Sequence, residues 1–264
     1  MTSTSFARRY GPWAFVAGAS EGLGAAFADA LAARGLHVAL AARRAQKLEA
    51  LAATLRRERG VEAEVFPLDL AAPDLVDALE GLAARREVGL VVANAAYAPR
   101  GEFLDQPLEA HWKAVDVNVR ATLALAHVFG RPMRARGRGG LVIMSSMSGF
   151  RGTALLSSYA ATKAFGRVFA EGLWEELGRA GVDVVASCAG ATRTPGYLAI
   201  TPHASGVPEM SPEAVAEASL AALGRRPTLL PGWANRLSGA LMERVLPRRL
   251  AVTLLSRTTR KLYG

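Results

Sequence analysis

The sequence predicts a doubly wound α/β fold, with a parallel sheet of about seven strands covered by helices on both faces. Three observations lead there. Short, β-rich apolar runs alternate with Ala/Leu-rich amphipathic segments along most of the 264 residues. The intervening segments repeat their apolar positions with a period near 3.6, and at roughly 10 to 20 residues they are long enough for helical crossovers between parallel strands. The first apolar run also passes directly into a glycine-rich turn that opens a helix, "AGASEGLGAAF".

The strands are expected, in order, at "PWAFVAG", "LHVALAA", "VEAEVFPL", "VGLVVANA", "GGLVIMSS", "GVDVVASCAG" and "PTLLPG". Helical periodicity fills segments between them, as in "GAAFADALAARG", "AQKLEALAATLRRERG" and "AVAEASLAALG". No Pro/Gly/Ser-rich linker divides residues 1–264, so a single domain is expected. Two regions break the alternation. Residues 193–212, "RTPGYLAITPHASGVPEMSP", carry four prolines and follow a predicted strand end. Ligands of open α/β sheets bind outside the carboxyl ends of the strands, which makes this segment a substrate lid. Residues 233–264 form a basic amphipathic extension in which Trp233, Leu237, Leu241 and Val245 recur at i+4. Such a tail fits a helix packed on the body or on a neighbouring subunit, with peripheral contact to an anionic membrane as the other reading.

Composition narrows the classes. With 51% hydrophobic and 21% charged residues the chain can bury a large core, which excludes an intrinsically disordered protein. The lone Cys188 leaves no internal disulfide and fits the reducing cytoplasm. No apolar stretch is long enough to span a bilayer. Arg8 and Arg9 ahead of "WAFVAGA" superficially match an export signal, but the run continues into the glycine turn and reads as the first strand. The net charge of +9 suggests an anionic partner, yet the excess arginines are scattered rather than gathered into a nucleic-acid patch. No nucleic-acid partner is expected.

Gly18, Gly22 and Gly24 follow the first strand and allow backbone N–H groups to approach a diphosphate at a helix N-terminus. At the end of the second strand Ala41 and Ala42 stand where an acid would hold a free 2'-hydroxyl, and Arg43 and Arg44 follow. Arginine suits a 2'-phosphate, so NADP(H) is expected over NAD(H), with Ser20 as a further phosphate ligand. Tyr159 and Lys163, in "SSYAATKAF", lie one helical turn apart in a chain with only four lysines. An ammonium beside a phenol would lower the phenol's pKa.

Together these motifs resemble the short-chain dehydrogenase/reductase family in its single-domain, Rossmann-fold branch, over about Pro12 to Pro231. The resemblance implies that Gly18, Ser20, Gly22, Leu23 and Gly24 form the cofactor turn. Asp69 and Leu70 of "PLDL" would lie near the adenine, and Asn94 of "VVANAAYAP" would line the cofactor cleft. It implies a catalytic set of Asn118 from "DVNVRA", Ser146 from "VIMSSMSG", Tyr159 and Lys163. Ser146 is selected over Ser145 and Ser148 because the family's serine lies 13 residues before the tyrosine. In that scheme Ser146 holds the substrate oxygen and Tyr159 is the general acid or base. Lys163 binds the nicotinamide ribose, and Asn118 anchors a water that relays protons. Gly190, Thr192 and Thr194 of "CAGATRT" would meet the nicotinamide end. Ala17, Ala93, Ala96 and Ala189 depart from the family pattern at positions that shape strand ends rather than chemistry.

The implied function is hydride transfer between NADP(H) and a carbonyl or secondary alcohol. The branch that reduces 3-oxoacyl thioesters and 17-ketosteroids is the most similar, pointing to a bulky apolar ketone. Family members commonly assemble as homodimers or homotetramers through the tyrosine helix. The rival class is a non-catalytic NADP(H)-binding sensor or scaffold, which a missing catalytic residue would have favoured.

Overall fold

The computed structural model describes residues 3–201 and 207–263; Pro202 to Gly206 of the expected lid lie outside the described residues. The chain runs α1 (Ser3–Tyr10), β1 (Trp13–Ala17), α2 (Gly22–Ala32), β2 (His37–Ala42), α3 (Ala45–Arg59), β3 (Ala63–Pro67), α4 (Leu75–Arg85) and β4 (Val88–Ala93). It continues through α5 (Leu108–Val115), α6 (Ala121–Arg136), β5 (Gly139–Ser146), α7 (Ser157–Gly178) and β6 (Val182–Ala189). The last elements are α8 (Pro195–Leu198), α9 (Pro212–Ala222), β7 (Thr228–Leu229), α10 (Trp233–Ala240) and α11 (Arg248–Tyr263). The strands form a parallel seven-stranded sheet in the order β3-β2-β1-β4-β5-β6-β7.

All seven expected strands are present; the central ones are apolar runs buried on both faces, as a parallel sheet requires, while the edge strands β3 and β7 are only partly buried. The period-2 alternation of side chains divides the core in two. Ala14, Val16, Val38, Leu40, Leu90, Val92 and Val142 pack on one side with Phe27, Leu31, Leu48 and Leu220 of α2, α3 and α9. Phe15, Ala17, Ala39, Ala41, Val91, Leu141 and Val184 pack on the other with Leu79, Leu125 and Phe129 of α4 and α6. The order of strands reverses between β1 and β4, and the carboxyl ends of both open there into a crevice.

Two parts of the chain differ from expectation. Helix α1, not among the expected elements, is fastened by the Tyr10 hydroxyl donating 2.6 Å to Asp183 of β6. In the C-terminal extension, the i+4 stripe is not the packed face: Trp233, Leu237 and Val245 are 74%, 66% and 68% exposed. The packed side of the tail is the more polar one. Arg167 pairs with Glu243 at 2.8 Å, Thr153 and Thr259 share a hydroxyl hydrogen bond of 2.6 Å, and Arg260 pairs with Glu102 at 2.5 Å. These polar anchors act together with the buried Ala251 and the inward-facing Leu255 and Leu262 to fix how the extension lies on the body. Among the described residues no helix is long and apolar enough to cross a membrane.

Candidate functional site

The turn between β1 and α2 is shaped by what it excludes. Gly18 has φ +74°, and a β-carbon there would stand 2.8 Å from the Ala95 backbone. A β-carbon on Gly24 would overlap the Gly18 carbonyl and the Asn94 amide. Only glycine fits both positions, and the result is a bare backbone cradle at the start of a helix. Asn94, at the end of β4, closes the cradle by donating to Gly18 O at 3.2 Å and Ala17 O at 3.3 Å.

A cavity of about 290 Å³ opens from this turn, lined by Gly18, Ser20, Arg43, Arg44, Asp69, Leu70 and Asn94 among others. Seven residues expected at the cofactor end thus share one cavity, while Gly22, Leu23 and Gly24 do not line it. Glu21 is an addition. Its carboxylate lies 2.8 Å from Arg44 and 2.7 Å from Lys47, and these two cations hold it below the usual carboxylate range. Arg44 also donates 2.8 Å to Ser20 Oγ, so its guanidinium is fixed over the turn. Arg43 is exposed in the same cavity and has no side-chain hydrogen bond or ion pair among the described residues. The bare cradle and the cations beside it can hold the diphosphate of a nucleotide.

A second cavity of about 630 Å³ adjoins the first and holds most of the remaining candidates. Ser146, at the end of β5, Tyr159 and Lys163 on α7, and Leu23, Gly190, Thr192 and Thr194 all line it. Ser145 also lines the cavity, but its hydroxyl is committed to α7, donating 2.7 Å to Lys163 O. Ser146 Oγ accepts from Ser148 N at 3.2 Å and faces the cavity. Helix α7 begins at Ser157, which places Tyr159 in its first turn and Lys163 one turn deeper. The Lys163 ammonium lies 5.7 Å from the Tyr159 ring centroid and donates 2.8 Å to Met144 O.

The electrostatics correct one expectation. Tyr159 is not lowered in this structure: burial holds its phenol above the ordinary value, and the hydrogen bond with Ser146 opposes that only in part. Lys163, 5% exposed, is itself pushed down to about 8 because burial penalises its charge.

Asn118 is outside the cavity lining and lies in a π-helical turn, Asp116–Arg120, between α5 and α6. Its Oδ1 accepts from Tyr97 N at 2.8 Å, while Nδ2 donates to Tyr97 O at 2.8 Å and Thr162 Oγ1 at 2.9 Å. Both amide hydrogens are committed to the segment after β4 and to α7, so the side chain positions these elements. The expected lid is tied at its base, where Arg193 N donates 2.9 Å to Met210 O and Met210 N donates 3.0 Å to Ala191 O. Thr194 and Ser211 cap α8 and α9, each followed by proline at the first helical position.

The residues that sequence reasoning missed are those of the outer wall: Arg100, Asn235, Ser238, Met242, Leu255, Thr258, Thr259, Leu262 and Tyr263. A signal did exist in α11. Positions 255, 258, 259, 262 and 263 follow i, i+3, i+4, i+7, i+8, but two threonines hide the stripe in any count of apolar residues.

The family model for short chain dehydrogenase matches residues 12–203. A 7β-hydroxysteroid dehydrogenase from Clostridium sardiniense is 32% identical over 234 residues, covering 88% of this chain and 90% of the relative. A very-long-chain 3-oxoacyl-CoA reductase-like protein from Arabidopsis thaliana is 32% identical over 243 residues, covering 89% and 77%. Among solved structures, one from work on 7β-hydroxysteroid dehydrogenase stereoselectivity superposes with a TM-score of 0.89 at 28% identity, covering 95% of this chain and 98% of that one. A short-chain dehydrogenase from Sphingobium yanoikuyae in complex with NADPH gives 0.77 at 32% identity, covering 89% and 96%.

Proposed function

Since the chain belongs to the short chain dehydrogenase family, and is thus an oxidoreductase acting on CH–OH and C=O groups, we propose that it uses NADP(H) to interconvert a bulky, largely apolar ketone and its secondary alcohol. The observation that carries this reading is the adjacency of two cavities. One is a polar cleft with an arginine pair; the other is larger and mostly apolar, with Ser146, Tyr159 and Lys163 on its wall. A volume near 630 Å³, part of which takes the nicotinamide, lies within the usual range for small-molecule sites.

The bound nicotinamide supplies or accepts the hydride. Ser146 holds the carbonyl oxygen, and Tyr159 gives it a proton during reduction or removes one during oxidation. A phenol kept protonated by burial is suited to the acid role at neutral pH. Lys163, with its pKa near 8, holds the ribose and can exchange a proton with the phenol above it. Gly18, Ser20, Gly22, Leu23 and Gly24 cradle the diphosphate. Arg43 takes the 2'-phosphate beside the Glu21-braced Arg44. Asp69 and Leu70 lie at the adenine end, with Asn94, Gly190, Thr192 and Thr194 along the cleft towards the nicotinamide. Asn118 keeps α7 in register with the segment after β4.

The relatives that act on hydroxysteroids and 3-oxoacyl thioesters support a substrate of that bulk. A panel of steroid-sized ketones and 3-oxoacyl thioesters, followed by NADPH absorbance, tests the reading. Turnover is expected with at least one bulky ketone, and none across the panel would refute it.

A further inference from the structure

The wall of the larger cavity is uneven in charge. Of the residues lining it, Arg100 and Lys163 carry charge, both positive, and none is an acid. Lys163 is buried at the reacting end beneath Tyr159. Arg100 belongs to the loop after β4 and is exposed, with its guanidinium 5.7 Å from the ring centroid of Tyr263, the residue that ends α11. Among the described residues it has no hydrogen-bond acceptor and no carboxylate partner.

Three acids of the flanking segments are engaged elsewhere. Glu102 pairs with Arg260 at 2.5 Å, Glu243 pairs with Arg167 at 2.8 Å, and Glu209 accepts from the Tyr197 hydroxyl at 3.1 Å. The Tyr263 ring beside Arg100 occupies none of its N–H donors, which leaves the guanidinium able to take a planar anion. Tyr159 and Tyr263 are both held up by burial, and in both the Arg100 charge acts in the opposite direction, so this cation is felt from the rim to the reacting phenol.

Resting on the ketone reading above, we infer that Arg100 is a specificity-determining residue that takes the carboxylate end of an otherwise apolar ketone substrate. The substrate class is thereby narrowed to amphipathic oxo acids, whose apolar body lies along Leu156, Met242, Leu255 and Leu262 and whose charged end reaches the rim.

The test compares a steroid-sized ketone bearing a side-chain carboxylate, its methyl ester and a 3-oxoacyl coenzyme A thioester, using wild type, Arg100→Gln and Arg100→Lys. In wild type the acid is preferred to the ester. Arg100→Gln lowers the acid-to-ester ratio of kcat/KM about tenfold or more, mainly through KM, and Arg100→Lys restores part of it. An unchanged ratio in Arg100→Gln overturns the assignment. So does a loss confined to the thioester, which would place its phosphates rather than a carboxylate on Arg100. Calorimetric titration of acid and ester into the NADP(H)-loaded proteins separates this inference from the ketone reading. Charge-selective binding without turnover keeps the anion site and removes the reductase. Turnover with an unmoved ratio does the reverse.

Discussion

The two cavities are built by different rules. The smaller one is assembled from short motifs at strand ends, where backbone conformation and a few fixed polar atoms do the binding. Gly18, Gly24 and Asn94 constrain one another directly. The larger one is assembled from β5, α7, the 193–212 segment and a C-terminal extension, and most of its wall is held by side chains meeting across a hundred or more positions, such as Thr153 with Thr259 and Glu102 with Arg260. The difference implies that nucleotide binding and substrate selection can fail separately.

The strongest break in that comparison is chemical. Tyr159→Phe is expected to reduce ketone turnover by about a thousandfold, within the usual contribution of a general acid, while NADPH affinity stays within a few-fold. Stopped-flow reduction alongside fluorescence titration of NADPH would show it, and comparable losses in both would mean the two halves are not separable.

Removing residues 247–264 should lower kcat/KM for a bulky ketone by about a hundredfold, because α11 forms the outer wall, while NADPH still binds. A truncated protein that lost both together would show that the extension supports the whole fold.

Arg43→Ala should raise the Kd for NADPH by about tenfold and that for NADH by less than twofold, since charge-assisted phosphate bonds contribute about 1.5–3 kcal/mol each. Equal losses would place the 2'-phosphate elsewhere.

The smallest effect concerns stability. Lys163 is depressed to about 8 in the folded chain against about 10.4 unfolded, so both states carry the proton below pH 8 and the folded state pays the burial penalty there in full. Stability from this group rises with pH between those values. Lys163→Met should therefore raise Tm by about 2–4 °C at pH 7, with the advantage shrinking towards pH 10. Scanning calorimetry at both pH values checks it.

What was legible in the sequence follows the same division. Strands buried on both faces appear as apolar runs, and a turn that tolerates only glycine appears as glycine, so the sheet, the cleft and the Ser146, Tyr159 and Lys163 trio could be read in order. Glu21 escaped notice because a carboxylate near a phosphate looks unhelpful until its two cations are seen. Lowering of the Tyr159 pKa was expected from spacing alone, and spacing carries no information about burial, which dominates. The face by which the extension meets the body was not legible because its apolar stripe lies outward, whereas the threonines and arginines that anchor it find their partners only in three dimensions.

The Thr153–Thr259 and Glu102–Arg260 contacts join early and late parts of the chain, so they form only after α11 has been synthesised. Strands β1 to β6, the glycine turn and α7 all leave the ribosome before α11 does. The walls of the smaller cavity, which run from Gly18 to Val117, are therefore synthesised before the outer wall of the larger one, so the first cavity can be shaped while the second is still open.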